Sequence, residues 1–387
     1  MKRIYLDNAA TTAVRPEALE AMLPFLTERY ANPSSPHSSG QTSRRALDDA
    51  REATAAAIGA RPTEIVFTGG GSEADSLAIF GIMDAYADRG SGFITCAVEH
   101  HAVLHAADAL RRRGAQVAVL PVDGEGFVDP AALRAALNDT TVLVSIMHAN
   151  NEIGTIQRIR ELADIAHERG ALFHTDAIQS AGHVALDAAA LGVDALTMSA
   201  HKFEGPKGVG ALFVKRGVRV RSRVVGGSQE FGKRAGTENV AGIVGLAAAL
   251  ERAVRELEAD ASRTRALRDR FIDAALERIP DASLNGASEH RLPNNASLRF
   301  AGCDASAIMM ALDLAGIEVS TGSACTSGSL EPSHVLTAIG LAPEAARGTV
   351  RFSLGRTTTR SDIETVAEIL PEIVEKMRRV SASGTVA

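Results

Sequence analysis

Lys202 is the first residue in this sequence whose surroundings indicate chemistry. The stretch Ser199 to Gly210 reads Ser-Ala-His-Lys-Phe-Glu-Gly-Pro-Lys-Gly-Val-Gly and follows a short apolar run, Val193 to Met198, that predicts a buried strand. The lysine therefore lies where the chain turns off the carboxyl end of a strand, where ligand sites occur in open α/β sheets. A partly desolvated amine at such a turn can form a Schiff base. The alternative is an ordinary surface turn that carries two lysines.

A glycine-rich loop, Gly69-Gly-Gly-Ser-Glu73, separates a predicted strand from a predicted helix. Glycines let the backbone approach an oxyanion closely, and the first turn of a helix supplies free N–H groups at a positive dipole end, so the loop is suited to a phosphate group. Ser72 and Asp75 have the spacing of a capping box at the start of this helix. The alternative is a tight strand-to-helix turn that binds nothing.

A carboxylate ends another predicted strand. Asp176 closes the run Ala-Leu-Phe-His-Thr-Asp, and Gln179 follows three residues later. A carboxylate in this position can pair with a protonated ring nitrogen and keep it charged, which an electron-sink cofactor requires. The ordinary alternative for Asp176 is the N-cap of a helix.

A carboxylate and three imidazoles come shortly after a further predicted strand: Glu99, His100, His101 and His105. His101 and His105 are four residues apart, on one face of a possible helix, which is one pattern for a metal site. No third ligand lies at a recognisable spacing, so we expect no metal. A neutral imidazole stacked on a cofactor ring, or a histidine at a helix start, fits this pattern better.

The last two candidates lie toward the end of the chain. Cys325 is embedded in glycine, serine and threonine between Ser320 and Ser329, a stretch with too little apolar surface to be rigid, so this segment is expected to move. Its thiol is either an incidental small residue or a mobile nucleophile. Arg351 lies within a short apolar strand pattern, where an arginine usually needs an anionic partner, either a substrate carboxylate or a local acid.

The chain that must position these residues has 387 residues, 45% of them hydrophobic, which is enough for a large core and two domains. Its net charge of −6 argues against a general nucleic-acid binder. One basic cluster is either a solvated face or a dock for an anionic partner: Lys215, Arg216, Arg219, Arg221 and Arg223. Three cysteines cannot make a disulfide framework. Without an apolar leader or a run long enough to span a bilayer, a soluble cytoplasmic protein is expected.

Strand and helix patterns alternate through the first half of the chain, which predicts a mostly parallel sheet covered by helices on both faces. The predicted strands are Ile65 to Thr68, Phe93 to Ala97, Gln116 to Leu120, Thr141 to His148, Ala171 to Thr175, Leu196 to Ser199 and Val209 to Val214. The spacing from Val240 to Ile279 predicts a helix of about 60 Å that bridges two domains or bends near Ala261. We therefore predict a large domain over 15–259 and a smaller α+β domain over 1–14 and 260–387, which carries the cysteine loop 320–330.

The sequence resembles the pyridoxal-phosphate cysteine desulfurases of the NifS/IscS kind in five features that follow one another along the chain. They are the phosphate loop, the ring-nitrogen carboxylate, the Schiff-base lysine, the mobile thiol and the carboxylate-binding arginine. The resemblance runs from Tyr5 to about Arg360. It rests on these motifs: Tyr-Leu-Asp-Asn-Ala-Ala-Thr-Thr12, His-Ala-Asn-Asn-Glu-Ile-Gly154, His-Thr-Asp-Ala-Ile-Gln179, Ser-Ala-His-Lys202, Arg-Ala-Gly-Thr237, Ser-Ala-Cys-Thr-Ser327 and Arg-Phe-Ser-Leu-Gly-Arg356. It implies fold-type I of the class V aminotransferase superfamily, a small domain built from both chain ends, and a homodimer.

The resemblance also implies a role for each candidate residue. Lys202 would hold pyridoxal 5'-phosphate as a Schiff base, Asp176 would pair with the pyridine nitrogen, and Gln179 would contact the ring hydroxyl. His100 would stack on the ring, and Cys325 would accept sulfur. The implied phosphate ligands are Gly71, Ser72, Ser199 and His201, with Thr237 reaching in from the other subunit. The implied ligands of the substrate carboxylate are Asn151 and Arg351.

The implied reaction removes sulfur from L-cysteine with proton transfers by Lys202 and His100, and it leaves L-alanine and a persulfide on Cys325. The sulfur would then pass to an acceptor protein, either an iron–sulfur scaffold or a carrier for thio-cofactors or tRNA thiolation. Neither a membrane nor direct nucleic-acid binding is implied. The alternatives that use the same lysine are a selenocysteine lyase and a class V aminotransferase, although an aminotransferase has no use for a nucleophilic thiol.

The chain also departs from the family pattern. Ser76 stands where asparagine is usual, Phe231 stands where arginine is usual, and Glu204 adds an unusual negative charge close to the lysine. The segment after Arg379 is shorter than in IscS-type members, which favours the NifS type and leaves docking to an iron–sulfur scaffold open.

Overall fold

The computed structural model describes residues 3–321 and 333–383. Cys325, and with it nearly all of the predicted loop 320–330, lies outside the described residues. The strands are β1 Ile4–Tyr5, β2 Ile65–Thr68, β3 Gly92–Cys96, β4 Gln116–Leu120, β5 Thr141–Ser145, β6 Leu172–Asp176, β7 Ala195–Ser199, β8 Gly210–Val214, β9 Ala282–Leu284, β10 Asn295–Phe300, β11 Ile317–Glu318 and β12 Thr349–Ser353. The helices are α1 Pro16–Thr27, α2 Ser38–Ala56, α3 Gly71–Ala85, α4 His101–Arg112, α5 Pro130–Ala136, α6 Ile159–Glu168, α7 Ala188–Leu191, α8 Val240–Arg278, α9 Ala305–Leu314, α10 His334–Ala338, α11 Pro343–Ala346 and α12 Arg360–Ser383.

A seven-stranded sheet in the order β2-β8-β7-β6-β5-β3-β4 forms the centre of the larger part of the molecule. Within it, β8 runs antiparallel to both of its neighbours, and the other strands run parallel to one another. The central strands β5 and β7 are buried along their whole length, as expected for strands that are covered on both faces. The predicted α/β class with a mostly parallel sheet is confirmed.

The sheet brings the separate motifs to one edge. The glycine loop follows β2, His100 lies shortly after β3, Asp176 ends β6, and Lys202 lies just beyond β7. Because these four strands run in the same direction, their carboxyl ends meet at the same edge. The local strand-to-turn patterns and the parallel topology together therefore place residues that are far apart in sequence around one site.

Helix α8 links the two main packing regions. It contains 39 residues and continues through Ala261 as one helix of about 58 Å, so the predicted long helix is found without an interruption at Ala261. Its first turns bury Ile243 and Leu246 in the core of the seven-stranded sheet. Its last turns bury Phe271 and Ile272 in a second core.

The second core packs around two small sheets. One has the antiparallel order β12-β10-β9, and the other pairs β1 with β11 in parallel. Ile4 and Leu6, from the start of the chain, are buried there with Leu298 and Phe352 from β10 and β12. Both chain ends thus contribute to one core, while the domain boundaries at 14/15 and 259/260 stay a prediction. Within the described residues no helix is long and apolar enough to cross a membrane.

Candidate active site

The Lys202 amine points at the N-terminal segment of the chain. The lysine ends a 3₁₀ turn, Ala200–Lys202, directly after β7, and its side chain is half-buried. Its Nζ donates hydrogen bonds to the backbone carbonyls of Ala9 at 2.7 Å and Ala10 at 2.8 Å. The two carbonyl oxygens fix the position of the amine, which can react with a carbonyl compound in its deprotonated form.

Asp176 is a buried carboxylate at the end of β6. Its side chain accepts a hydrogen bond from the N–H of Ile178 at 2.8 Å, which is the local contact that a cap would also make. Burial raises its pKa to about 6, although that hydrogen bond and the charge of Lys202 act in the opposite direction. A cation placed against this carboxylate would compensate its burial, so the position is suited to a protonated ring nitrogen.

Asp75 lies beneath the same edge of the sheet, and the predicted capping box is wrong. The N-cap of α3 is Gly70 and no side chain caps the helix, because the Asp75 side chain turns inward and is completely buried. Neither of its oxygens has a hydrogen-bond partner at bonding distance, and His174 Nε2 lies 3.8 Å from Oδ1. Burial and the nearby charge of Asp176 raise the pKa of Asp75 well above its ordinary value.

Glu99 is a third carboxyl group in this buried region. Its Oε1 accepts hydrogen bonds from the N–H of Met147 at 2.7 Å and from the Cys96 thiol at 3.1 Å, while its Oε2 has no partner. Burial raises the pKa of Glu99 to about 8. Its position directly before His100 was visible in the sequence, but its complete burial was not.

His100 is the N-cap of α4, as the helix-start interpretation of this histidine requires. Its Nδ1 accepts a hydrogen bond from the N–H of Ala102 at 3.1 Å. Burial, together with the charge of Lys202, lowers its pKa to about 4, so the ring is neutral at pH 7. Because Nδ1 accepts, the single ring proton is on Nε2, and the ring can donate a hydrogen bond from Nε2 to a group in the site.

Next to His100, the His101 and His334 rings lie 4.7 Å apart between centroids. The part of the chain that the structure describes holds no group of three or more histidine, cysteine, aspartate or glutamate side chains arranged for a metal ion.

A cavity of about 540 Å³ opens beside the glycine loop. Its lining residues are Ala10, Thr11, Gly69, Gly70, Gly71, Ser72, Glu73, Ser199, His201, Lys207 and Gly208. Gly70 has φ 151° and ψ −179°, a conformation that is essentially restricted to glycine, and a Cβ on Gly71 would lie 2.3 Å from Ile178 Cδ1. The N–H groups in the first turn of α3 have no partner within the helix, so the cavity offers donors to an anion.

Four of the five predicted phosphate ligands line this cavity. His201 is held by a 3.1 Å hydrogen bond between its Nδ1 and Thr11 Oγ1, and burial lowers its pKa to about 4, so it is neutral at pH 7. Ser199 is buried at the end of β7, and Ser72 is exposed at the mouth of the cavity. Thr237 is exposed on the loop before α8 and is not among the lining residues, so the structure does not bring it into the site of its own chain.

Arg351 lies at the opposite end of the site, on β12, with a side chain that is only 3% exposed. Its Nη2 lies 2.8 Å from Asp7 Oδ1, and its Nη1 donates to the backbone carbonyl of Asn151 at 3.0 Å. Its Nε is buried without a partner. The structure thus joins Arg351 and Asn151, the two predicted carboxylate ligands, and adds a local acid that the sequence interpretation left unnamed.

The N-terminal segment contributes more to the site than its sequence indicated. The Ala9 carbonyl accepts hydrogen bonds from both Lys202 and Gln179, whose Nε2 lies 2.9 Å away. Thr12 Oγ1 donates to the backbone carbonyl of His201 at 3.0 Å. In the sequence this segment stood out only as the motif Tyr-Leu-Asp-Asn-Ala-Ala-Thr-Thr12 of the family resemblance, which assigned its residues no role in the site.

The three departures from the family pattern have different surroundings. Glu204 adopts a left-handed φ of 65°, and its carboxylate lies 2.9 Å from Arg15 Nη2 and 3.0 Å from Arg356 Nε. Phe231 is half-exposed and packs 5.0 Å from the Arg51 guanidinium. Ser76 is half-buried on α3, and nothing in the structure explains its choice.

The basic cluster is largely neutralised within the chain. Lys215, Arg219 and Arg223 each pair with an aspartate of the same molecule. The structure therefore favours a solvated face over a dock for an anionic partner.

Comparisons with known proteins agree with this geometry. A family model described as "Aminotransferase class-V" matches residues 4–366. The chain is 52% identical over 382 residues to "Cysteine desulfurase IscS" of Dictyoglomus turgidum, an alignment that covers 98% of this chain and 97% of the relative. It superimposes on a solved structure named "NIFS-LIKE PROTEIN" with a TM-score of 0.91 and 36% identity, covering 96% of this chain and 99% of the other. A second structure, "SspA in complex with cysteine", gives a TM-score of 0.81 and 35% identity, covering 92% of this chain and 100% of the other.

Proposed function

The chain belongs to the class-V aminotransferase family, and from this premise we propose that it is a cysteine desulfurase that converts L-cysteine to L-alanine and a persulfide on Cys325. The observation that carries the proposal is the placement of the Lys202 amine at one sheet edge with the buried Asp176 carboxylate and the glycine-lined cavity. A phosphorylated aldehyde with a cationic ring needs these three features at one place.

The described residues fit pyridoxal 5'-phosphate, the cofactor of this family. The phosphate group would be held by Gly71, Ser72, Ser199 and His201, because their loop and helix start line a cavity with free N–H donors. Asp176 would hold the ring nitrogen. When bound, the cofactor supplies an electron sink that stabilises negative charge on the substrate carbon atoms.

Lys202 has two tasks in this proposal. Its amine would hold the cofactor covalently, and the carbonyls of Ala9 and Ala10 fix the position of this side chain. When it is not attached to the cofactor, Lys202 would act as the base that takes the proton from the substrate Cα. His100, neutral with its ring proton on Nε2, would donate a hydrogen bond from Nε2 to a group in the site, and it would transfer a proton only after it has itself taken one up. Gln179, fixed on the Ala9 carbonyl, would orient the ring hydroxyl.

Asn151 and Arg351 would bind the carboxylate of L-cysteine. Arg351 keeps N–H groups that no described protein atom accepts, and its Nε is buried, so an entering carboxylate finds desolvated donors. The similarity to a structure solved with cysteine supports an amino acid of this size as the substrate.

Cys325 would perform the sulfur transfer. Its thiolate attacks the sulfur of the substrate, so that an S–S bond forms while the C–S bond breaks, and the carbon that keeps the electron pair takes up a proton to become the methyl group of L-alanine. Cys96 and Cys303 are unsuited to this step because both are buried with free thiols, and burial raises the pKa of each. This contrast supports the assignment to the third cysteine.

We further propose a cytoplasmic homodimer that delivers sulfur to an acceptor protein, either an iron–sulfur scaffold or a sulfur carrier. A reducing compartment suits a catalytic free thiol. One loop exposes Thr237 together with the apolar side chains of Val224, Val225 and Phe231. This exposure supports a second copy of the chain that covers the loop and receives Thr237 in its own phosphate site.

The test is anaerobic incubation of the holoenzyme with L-cysteine and a thiol reductant, with quantification of L-alanine and sulfide. The Cys325→Ala variant should still bind L-cysteine and change the cofactor absorption, yet form no persulfide and no catalytic sulfide. Cys303→Ala removes a different thiol and should keep wild-type yields. Normal sulfide release by Cys325→Ala would refute the role of Cys325, and absence of alanine from the wild-type enzyme would refute the activity itself.

A further inference from the structure

Arg351 already has an anionic partner before any substrate enters. The guanidinium is nearly inaccessible to water, at 3% exposure, and its Nη2 lies 2.8 Å from Oδ1 of Asp7, whose side chain is 21% exposed. Among the described residues, Glu152 is a second carboxyl group close enough to feel the charge of Arg351, and it accepts a hydrogen bond from Ser333. Burial raises the pKa of Glu152. Asp7 is the carboxylate that pairs directly with the Arg351 guanidinium.

The backbone holds Asp7 in this place. Ser353, two residues after Arg351 on the same face of β12, donates its N–H to the Leu6 carbonyl at 2.7 Å, and its Oγ accepts from the N–H of Ala9 at 2.9 Å. Asp7 lies between these two contacts, so its backbone is fixed beside the guanidinium. A substrate carboxylate therefore binds to an arginine that has Asp7 next to it.

We propose that Asp7 competes with the substrate carboxylate for Arg351. Asp7 occupies part of the guanidinium and thereby lowers the affinity of the enzyme for L-cysteine. The inference rests on the proposed function only for the identity of the substrate. Physically, a second carboxylate on the same guanidinium meets the like charge of Asp7 a few ångströms away, and this repulsion weakens binding. Removal of the Asp7 charge leaves a buried cation without a counter-ion, which an external carboxylate then stabilises.

Asp7→Asn is the sharpest test because asparagine keeps the shape and one oxygen acceptor but removes the charge. Propionate serves as the probe, since it has a carboxylate but neither an amine nor a thiol and cannot react. We expect the variant holoenzyme to bind propionate about tenfold more tightly than the wild type, equivalent to about 1.4 kcal/mol. Binding is measured from the rise of the thermal unfolding midpoint with propionate concentration, against sodium chloride of equal ionic strength.

The steady-state kinetics of Asp7→Asn should also show tighter binding of the carboxylate. The KM for L-cysteine should fall about tenfold in Asp7→Asn while kcat changes less than about threefold, because the charge acts on carboxylate binding rather than on the sulfur transfer. Asp7→Glu, which keeps the charge, should resemble the wild type. Glu318→Gln is the matched control, because it removes a carboxylate that pairs with another arginine, Arg3, in the adjacent β1–β11 sheet. Neither propionate affinity nor KM should change in that control.

Unchanged or weaker binding of propionate by Asp7→Asn would overturn the inference and leave Asp7 as a purely structural contact. If that variant is insoluble, recovery of folded protein by propionate, but not by sodium chloride, supports the inference, and failure of propionate to rescue it counts against it. The propionate measurements need no turnover. A wild-type enzyme that forms no alanine would therefore refute the proposed activity without affecting this result.

Discussion

Asp176 and Arg351 lie at two ends of the same site, and their side chains have different surroundings. Asp176 is a buried carboxylate, whereas Arg351 is a buried cation with a carboxylate partner. At the Asp176 end, beside β6 and α3, Asp75 and Glu99 are also buried and have few or no hydrogen-bond partners. There, burial raises the pKa of all three carboxyl groups. The Arg351 end, beneath β12 and the N-terminal segment, holds its charge in an ion pair with Asp7.

The difference shows how each end is prepared for a different ligand. A buried carboxylate without a cation gains the most from a cation that arrives with a cofactor, so binding and charge compensation occur together. A buried arginine that already has a counter-ion is stable when the site is empty, but it binds an incoming anion less tightly. The cofactor end therefore favours permanent occupation, and the substrate end favours exchange.

The largest expected effect comes from removal of the Asp176 charge. Asp176→Asn cannot stabilise a protonated ring nitrogen, so kcat/KM for L-cysteine should fall about 10²- to 10³-fold, the usual loss when one preorganised electrostatic group is removed. The measurement is the initial rate of L-alanine formation by enzyme saturated with cofactor. Asp164→Asn, which removes an exposed carboxylate on α6, is the control and should change the rate less than twofold. A reduction of kcat/KM by less than threefold in Asp176→Asn would mean that Asp176 does not act through its charge.

The pH dependence of stability tests the burial of Glu99. The folded protein keeps the Glu99 proton up to pH about 8, whereas the unfolded chain loses it near 4.5, so the folded state binds more protons between these values. Stability from this group is complete below pH 4.5 and is lost as the pH rises toward 8, at about 1.4 kcal/mol per pH unit. Glu99→Gln removes this slope. The difference in free energy of unfolding between wild type and variant should thus change by about 2.7 kcal/mol between pH 5.5 and 7.5.

Urea titrations at several pH values provide that measurement. Glu251→Gln, at an exposed position on α8, is the matched control and should run parallel to the wild type at every pH. A Glu99→Gln curve that also runs parallel to the wild type would show that Glu99 ionises normally in the folded protein.

The smallest effect is expected at a separate ion-pair cluster, formed by Glu204, Arg15 and Arg356. Glu204 joins Arg15, which is only 2% exposed, to Arg356. Glu204→Gln should lower the free energy of unfolding by about 1–3 kcal/mol, because the buried Arg15 then keeps one ion-pair partner among the described residues, Glu256. In contrast, Glu251→Gln breaks an exposed pair with Arg255 and should cost less than about 0.5 kcal/mol. Equal costs for both variants, measured by urea unfolding at one pH, would show that burial of Arg15 adds nothing.

Much of the architecture could be predicted because it depends on local patterns. The strand Gln116–Leu120 was predicted at its observed bounds, and α8 was predicted to within one residue. Apolar runs, helical spacing and glycine turns are short-range signals, and the parallel topology follows from their alternation. For the same reason Lys202, Asp176 and the glycine loop could be placed at strand ends, and the family resemblance assigned them roles that stay predictions.

The sequence by itself determined the fold class, the order of the strands along the chain and the residue types around one sheet edge, because these depend on periodicity and on motifs of a few residues. Only the tertiary structure decided that Asp75 and Glu99 are fully buried and that Asp7 pairs with Arg351, 344 residues away. Burial and counter-ion choice depend on which distant segments pack together, and no local pattern carries that information. The charges that prepare the two ends of the site are therefore properties of the fold.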